Sequence, residues 1–239
     1  MFQTEIDPRL QVRKQEFIES GDASAFMRQV FSTMAIGLLL TAVAAYFVSQ
    51  SETLMLFFFT GIMRWVTLLA PLGLVWYLSA RVNRMSFSQA SIAFGVYATI
   101  LGISLATIFY FYSLGTLAKV FSITAGTFGT MALIGYTTKI DLSKMGSILY
   151  MALIGLIIAM VVNLLLVEST MMDMIISVLG VLIFSGLTAY DMQKIITIGA
   201  VIDAESEDGK KMALMGALNL YLDFINLFLF LLRLFGGRD

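Results

Sequence analysis

Long apolar runs, separated by short polar links, occupy most of this chain. Seven runs approach or exceed the ~20 residues that an α-helix needs to cross a ~30 Å hydrocarbon core. They cover residues 27–48, 62–80, 87–112, 116–138, 145–167, 172–196 and 213–235. Apolar residues are continuous within each run, which argues against the alternating pattern of a transmembrane β-barrel. The sequence therefore predicts an all-α polytopic membrane protein, a bundle of seven transmembrane helices.

The composition agrees with lipid as the main solvent and narrows the chemistry. Of the 239 residues, 59% are hydrophobic and only 13% are charged, whereas soluble domains contain about 25% charged residues. Cysteine and histidine are both absent, which excludes disulfides, Cys/His zinc sites and serine–histidine catalysis. The net charge of −1 does not indicate a nucleic-acid partner. We expect no resident cofactor and no enzyme activity.

Residues 1–25 are polar and mixed in charge, and the first apolar run starts only near Met27. That run is too long for the apolar core of a secretory signal peptide. We interpret residues 1–25 as a polar cytoplasmic leader and residues 26–236 as the transmembrane domain.

Basic residues are unevenly shared between the two sides of the predicted bundle. With the N-terminus inside, eleven Lys and Arg residues lie on the inner side and four on the outer side. The positive-inside rule then predicts a cytoplasmic N-terminus. Two of the four outer residues lie at the far end of the last run: Arg233 is near its end, and Arg238 follows it. A re-entrant last helix, with six true spans, therefore stays open as an alternative.

Glycines recur inside several of the runs. They form the pairs Gly95 and Gly102, Gly126 and Gly129, and Gly180 and Gly186. Small residues allow transmembrane helices to approach closely, so we interpret these positions as packing sites.

Two acidic residues interrupt the last two runs. Asp191 lies toward the inner end of the sixth run, and Asp223 lies near the middle of the seventh. A charge near the centre of a span costs about 2.5–3.5 kcal/mol on insertion scales, so such a residue usually faces the bundle interior and has a function there. The two runs form an antiparallel hairpin, in which the depths of the two acids differ by roughly 6 Å at 1.5 Å per residue. We therefore expect contact between them.

Polar side chains accompany this pair. Asn219 and Asn226 share a helix face with Asp223 at spacings of i−4 and i+3, and their amides can donate to a buried carboxylate. Tyr190 and Tyr221 flank the two acids and can add hydroxyl donors. Arg81 and Arg84, at the inner end of the second run, can pair with Asp191 as a latch or serve as ordinary positive-inside anchors.

Two close carboxyl groups in a low dielectric cannot both ionise cheaply, so they share a proton and titrate as a unit. Without histidine in the chain, Asp191 and Asp223 are the best available sensor near neutral pH. A protonated pair is hydrogen-bonded and closed, whereas two bare carboxylates repel each other. The ionised pair is also a hard-oxygen site that suits Ca²⁺. The alternative is structural, with Asp191 an interfacial helix-end residue and Asp223 a buried hydrogen-bonding staple.

Three segments resemble one family. ALNLYLDFINLFLFLLRLFG, at 217–236, closely resembles the C-terminal signature of the Bax inhibitor-1 (TMBIM) family. FSGLTAYDMQKI, at 184–195, resembles the sixth helix of that family, and FMRQVFSTMAIGLLLTA, at 26–42, resembles its first. The resemblance covers residues 26–236 and is to a bacterial-type member.

The resemblance implies a seven-helix bundle with a central last helix in a bacterial inner membrane, and a pH-sensitive Ca²⁺ leak. It implies that Asp191 pairs with Asp223, and that Arg84 or Arg81 is an arginine latch. Two features depart from the family pattern: the link at 197–212 looks longer and more acidic, and the second run contains no acid.

Three classes of function follow from these observations. The first is a Ca²⁺ leak channel gated by the aspartate pair, with Ca²⁺ and protons as its partners. The second is a non-conducting regulator that binds other membrane proteins, such as a quality-control protease. The third, intramembrane proteolysis by paired aspartates, is disfavoured because the seventh run reads LYLDF where such proteases carry a GxGD motif.

Overall fold

A computed structural model describes Arg9, Val12, Glu16 and residues 21–237 of the chain. These residues contain no β-strand, and seven long helices organise them. The helices are α1 (Gly21–Ser49), α2 (Met63–Arg81), α3 (Phe87–Leu105), α4 (Leu114–Thr137), α5 (Ser143–Val162), α6 (Thr170–Gly199) and α7 (Glu207–Phe235). Most of the leader predicted at 1–25 lies outside the described residues, and its last five residues belong to α1.

Each long helix can cross a bilayer. The seven apolar helices of the described residues are 22 to 30 residues long when the short helical turns that continue some of them are included. Even 22 residues extend about 33 Å at 1.5 Å per residue, enough for a ~30 Å hydrocarbon core. The predicted all-α, seven-helix fold is confirmed, and the chain is an integral multi-pass membrane protein. The cytoplasmic location of the N-terminus stays a prediction.

The exposure of the side chains follows the same logic. Large apolar groups such as Leu166 and Trp76 are 79% and 76% exposed, which would be unfavourable in water and is favourable in lipid. The last helix is the most buried of the seven. In its most apolar stretch of 18 residues, 67% of the residues are buried, whereas the corresponding share in the fifth span is 11%. The central position that the family resemblance implies for this helix stays a prediction.

The start of α7 differs from the prediction. The helix begins at Glu207, six residues before the start expected from the apolar run. The Ser206 hydroxyl accepts the Gly209 N–H at 2.9 Å and caps this helix end. Acidic residues in the first turn, Glu207 and Asp208, favour a helix N-terminus. The long link expected at 197–212 is therefore a short connection at 200–206.

Short elements complete the chain between the long helices. The apolar segment between the first two runs forms a short helix, Glu52–Phe59, which the Ser51 hydroxyl caps. A second short helix, Ile108–Phe111, follows α3. A 3-10 turn, Val82–Arg84, extends α2, and a π turn, Asn163–Val167, extends α5.

The chain divides into two compact units. One, which we call the C-terminal unit, comprises 115–201 and 222–237, and the other, the N-terminal unit, comprises 21–114 and 202–221. The first part of α7 thus belongs to the N-terminal unit and its second part to the C-terminal unit. Both aspartates lie in the C-terminal unit.

Candidate functional site, a buried aspartate pair

The α6 and α7 helices carry one buried acid each. Asp191 is 2% exposed and Asp223 is 4% exposed. Asp191 lies eight residues before the end of α6 at Gly199 and is surrounded in sequence by buried residues such as Met192 and Ile195. This burial argues against the alternative in which Asp191 is an interfacial helix-end residue.

The two carboxyl groups are near enough to act on each other electrostatically. One oxygen of each, Asp191 Oδ1 and Asp223 Oδ2, is buried without a hydrogen-bond partner among the described residues. Buried polar atoms are normally hydrogen-bonded, and leaving one unsatisfied costs about 1–3 kcal/mol. A single proton between two carboxyl groups supplies one donor and one acceptor and removes their repulsion. A proton on either carboxyl group would therefore lower the cost of burying both.

A tyrosine from α5 completes the surroundings of Asp191. The Tyr150 hydroxyl lies near enough to the Asp191 carboxyl group to interact with it. The Tyr150 ring packs edge-on against Tyr190, with ring centroids 6.1 Å apart. One turn earlier, Gly146 leaves room for the Tyr190 ring, since a Cβ there would lie 2.5 Å from its atoms. Gly146 therefore lets α5 approach α6 closely enough for Tyr150 to reach the acid.

The sequence analysis missed Tyr150, because it singled out no residue of the fifth run. A tyrosine one turn after a glycine, Gly146, was the available signal. Besides Asp223, a cation acts on Asp191: Lys194, which lies one turn further along α6 and is exposed.

The polar residues predicted on α7 have different roles. The expectation that Tyr221 supports the pair is wrong, because its hydroxyl lies 2.5 Å from the Thr41 hydroxyl in the N-terminal unit. Two residues along a helix correspond to a rotation of about 200°, so Tyr221 and Asp223 face opposite ways. The Asn226 amide donates to the Leu222 carbonyl of its own helix at 2.8 Å. Asn219 is half-buried.

The two arginines predicted as latch residues lie in the N-terminal unit. Arg81 is in the last turn of α2, and Arg84 ends the 3-10 turn that follows. Their role as a latch stays a prediction.

The pair offers an incomplete set of ligands for a metal ion. No group of three or more His, Cys, Asp or Glu residues in the described part of the chain could hold a metal. Two carboxylates provide at most four oxygens, and Ca²⁺ takes about six to eight. Hydroxyl, carbonyl or water oxygens would have to supply the remainder.

Comparisons with known proteins identify relatives of this chain. The family model described as "Inhibitor of apoptosis-promoting Bax1" matches residues 23–239. The inner membrane protein YbhL of Escherichia coli K12 is 44% identical over 215 residues, which cover 89% of this chain and 92% of that protein. An uncharacterized protein of Borreliella burgdorferi is 44% identical over 214 residues, with the same coverage of 89% and 92%. A Rickettsia prowazekii protein is 41% identical over 213 residues, 89% of each chain.

Proposed function

The chain belongs to the family of the inhibitor of apoptosis-promoting Bax1, and from that premise we propose that it is a pH-sensitive calcium leak channel gated by Asp191 and Asp223. One observation carries the proposal: two carboxyl groups near enough to interact electrostatically are buried in one unit, each with an oxygen that lacks a hydrogen-bond partner among the described residues. The predicted location is a bacterial inner membrane, which agrees with the name of the E. coli relative.

The gate follows from the charge of the pair. A proton held between Asp191 and Asp223 links α6 to α7 by a hydrogen bond and keeps the interior dry. Loss of that proton leaves two anions in a low dielectric, where repulsion and the demand for hydration both favour separation of the helices. The separated carboxylates then attract water and cations.

The same oxygens make a suitable station for a permeating ion. Carboxylates are hard ligands that Ca²⁺ prefers. Conduction requires binding that is favourable enough for entry and weak enough for exit. A site with two carboxylates and few other fixed ligands meets both requirements.

Ca²⁺ flux into proteoliposomes between about pH 6 and 8 tests the proposal. The native protein is expected to conduct more as the pH rises. Asp223→Asn should abolish flux because the pair loses a ligand that can become anionic, and Asp191→Asn should remove or shift the pH dependence. Asp208→Asn is the matched control, since Asp208 is on α7 and exposed. Flux that is indifferent to both site substitutions would overturn the proposal.

Tyr150 provides a finer test of the same gate. A hydroxyl that donates to a carboxylate stabilises its charged form, so in the proposed gate Tyr150→Phe should favour the protonated, closed pair. The midpoint of the flux–pH curve is expected to move to higher pH by up to about one unit, from a net hydrogen-bond contribution of about 0.5–1.5 kcal/mol. Tyr110→Phe is the control, since Tyr110 is 60% exposed. A curve for Tyr150→Phe that overlies the native curve would exclude this role.

If the protein is instead a non-conducting regulator that binds other membrane proteins, the same assay should give a different result. Folded, reconstituted protein would pass no Ca²⁺ at any pH, and crosslinking in native membranes would capture a stable complex with another membrane protein. The flux measurement therefore separates the two functions directly.

A further inference from the structure

A cavity of about 480 Å³ lies at the end of α2, within the N-terminal unit. Arg81, Arg84 and Gln89 form its polar lining, and Tyr77, Ile92 and Ala93 contribute to its wall. The chain turns sharply here because Ser86 caps α3 with a reciprocal Ser86–Gln89 capping box. The turn brings the start of α3 beside the last turn of α2 and leaves two guanidinium groups on one cavity.

Neither arginine has an acidic partner among the residues that the structure describes; the acids Glu205 and Asp208 pair with Lys210 and Lys211 instead. The acid that reaches this end of α3 is Glu207, whose Oε1 accepts the Phe87 N–H at 3.3 Å. Arg81 lies over the Tyr77 ring at 5.8 Å, a contact that leaves its N–H donors available. Two guanidinium groups without carboxylate partners suit an anion, and their planar N–H pairs match phosphate oxygens.

The cavity lies at the end of a helix long enough to cross a bilayer, which is where lipid headgroups are expected. Arg81 and Arg84 lie in the last turns of this span, and Trp76 and Tyr77 precede them with 76% and 46% exposure. Tryptophan and tyrosine collect at the membrane–water interface. Ile92 is 65% exposed and continues the wall along α3 toward the apolar part of the span. A free phosphate ion has no apolar part that could contact this wall, whereas the acyl chain of a lipid can pack against it.

We propose that this cavity binds an anionic glycerophospholipid of the phosphatidylglycerol class. Arg81 and Arg84 hold the phosphate, the Gln89 amide is available to the headgroup hydroxyls, and the first acyl methylenes lie along Tyr77 and Ile92. Basic pockets between transmembrane helices are the sites at which anionic headgroups bind. The proposed site uses residues of the N-terminal unit alone, and its existence does not depend on ion conduction.

Lipid binding to the purified full-length protein tests the site. Native mass spectrometry in detergent would count bound phosphatidylglycerol and phosphatidylcholine across a titration of each. Phosphatidylglycerol is expected to bind more tightly. Each of Arg81→Gln and Arg84→Gln should weaken it about 5-fold, and the double variant about 30-fold, from ~1 kcal/mol per basic residue at an anionic membrane surface.

Arg64→Gln is the matched control. Arg64 is on the same helix at its opposite end, over the Trp65 ring at 4.9 Å, and does not line the cavity. Its replacement should leave phosphatidylglycerol binding unchanged. The unfolding midpoint measured without added lipid checks that each variant is folded. If the double variant does not fold, the two single variants test the proposal.

Three results would overturn the proposal. One is equal affinity for phosphatidylcholine, and another is an equal loss of binding in Arg64→Gln. The third is displacement of the lipid by inorganic phosphate or glycerol 3-phosphate at comparable concentration, which would make the cavity a site for free phosphate.

Discussion

Adding one methyl group at Gly135 is expected to destabilise the protein by about 2–3 kcal/mol. The α4 backbone at Gly135 lies directly against the α6 backbone at Ala189, and a Cβ there would meet the Ala189 carbonyl group and lie 2.9 Å from its Cα. Overpacking typically costs about 1–3 kcal/mol. The upper part of that range applies because the obstructing atoms are backbone, which cannot rotate aside as a side chain can. Gly135→Ala must therefore push the two helices apart.

Gly129→Ala separates this clash from the general effect of a glycine substitution. Gly129 is on the same helix, and a Cβ there would have nothing within 4 Å. Alanine favours a helix over glycine by up to about 1 kcal/mol, so this variant should be neutral or slightly more stable. Unfolding in detergent, followed by circular dichroism, measures both. Equal unfolding midpoints for Gly135→Ala and the native protein would contradict the close contact.

The Gly135 contact also bears on the aspartate pair. Ala189 precedes Asp191 by two residues on α6, so a displacement of the helix at Ala189 moves the acid relative to Asp223. If the proposed gate is correct, Gly135→Ala should alter the pH dependence of Ca²⁺ flux as well as stability, while Gly129→Ala should alter neither.

The glycines of α4 show that the sequence does not predict which face of a transmembrane helix contacts its neighbours. Gly126 and Gly129 were predicted as packing sites and have open space around them, whereas Gly135 was not singled out and makes the closest approach on α4. A helix that is apolar toward both lipid and protein has no hydrophobic face to mark its rotation about its own axis. Its sequence therefore predicts that the helix spans, but not which glycine meets a neighbour.

Features that depend on one run alone were predictable. The length and continuity of the apolar residues define the spans, and a charge inside a run marks a buried position because lipid penalises it. Asp191 and Asp223 were found in this way. The early start of α7 was missed because its first turns are polar, and a Ser206 cap outweighed the hydropathy signal.

Features that depend on two runs were less accessible. Tyr150 reaches Asp191 from a different helix, and no property of the fifth run alone indicates that partner. Tyr221 shows the converse error: it is adjacent to Asp223 in sequence, but the helix turns it toward Thr41. Nearness along a helix is a guide to contact only at spacings of three or four residues.

Thr41 is the centre of a buried polar cluster that joins α1, α3 and α7 within the N-terminal unit. Its Oγ1 lies 2.9 Å from the Gly37 and Ala98 carbonyl oxygens and 2.5 Å from the Tyr221 hydroxyl. A threonine hydroxyl has one proton, so it donates to a carbonyl oxygen and accepts from Tyr221. Since Tyr221 is 0% exposed, its hydroxyl depends on this acceptor.

The two sides of the Thr41–Tyr221 bond are therefore unequal. Thr41→Val keeps the shape but leaves the Tyr221 hydroxyl buried without an acceptor, at an expected cost of about 1–3 kcal/mol. Tyr221→Phe removes the donor and leaves no group unsatisfied, so about 0.5–1.5 kcal/mol is expected. The destabilisation of the double variant should be smaller than the sum of the two single destabilisations. With phenylalanine at position 221 there is no hydroxyl that Thr41→Val could leave without an acceptor. We expect a coupling energy of about 0.5–1.5 kcal/mol.

Denaturant unfolding of the four proteins in detergent measures this cycle. Thr124→Val is the control, since Thr124 is also 0% exposed and its hydroxyl donates to the Val120 carbonyl of its own helix at 2.8 Å. That change leaves no side-chain hydroxyl stranded, so its effect should be smaller than that of Thr41→Val. Strict additivity of Thr41→Val and Tyr221→Phe would show that the hydroxyls do not depend on each other. A sub-additive cycle would identify Thr41 as the acceptor that allows a tyrosine hydroxyl to be buried in α7, two residues from the acid of the proposed gate.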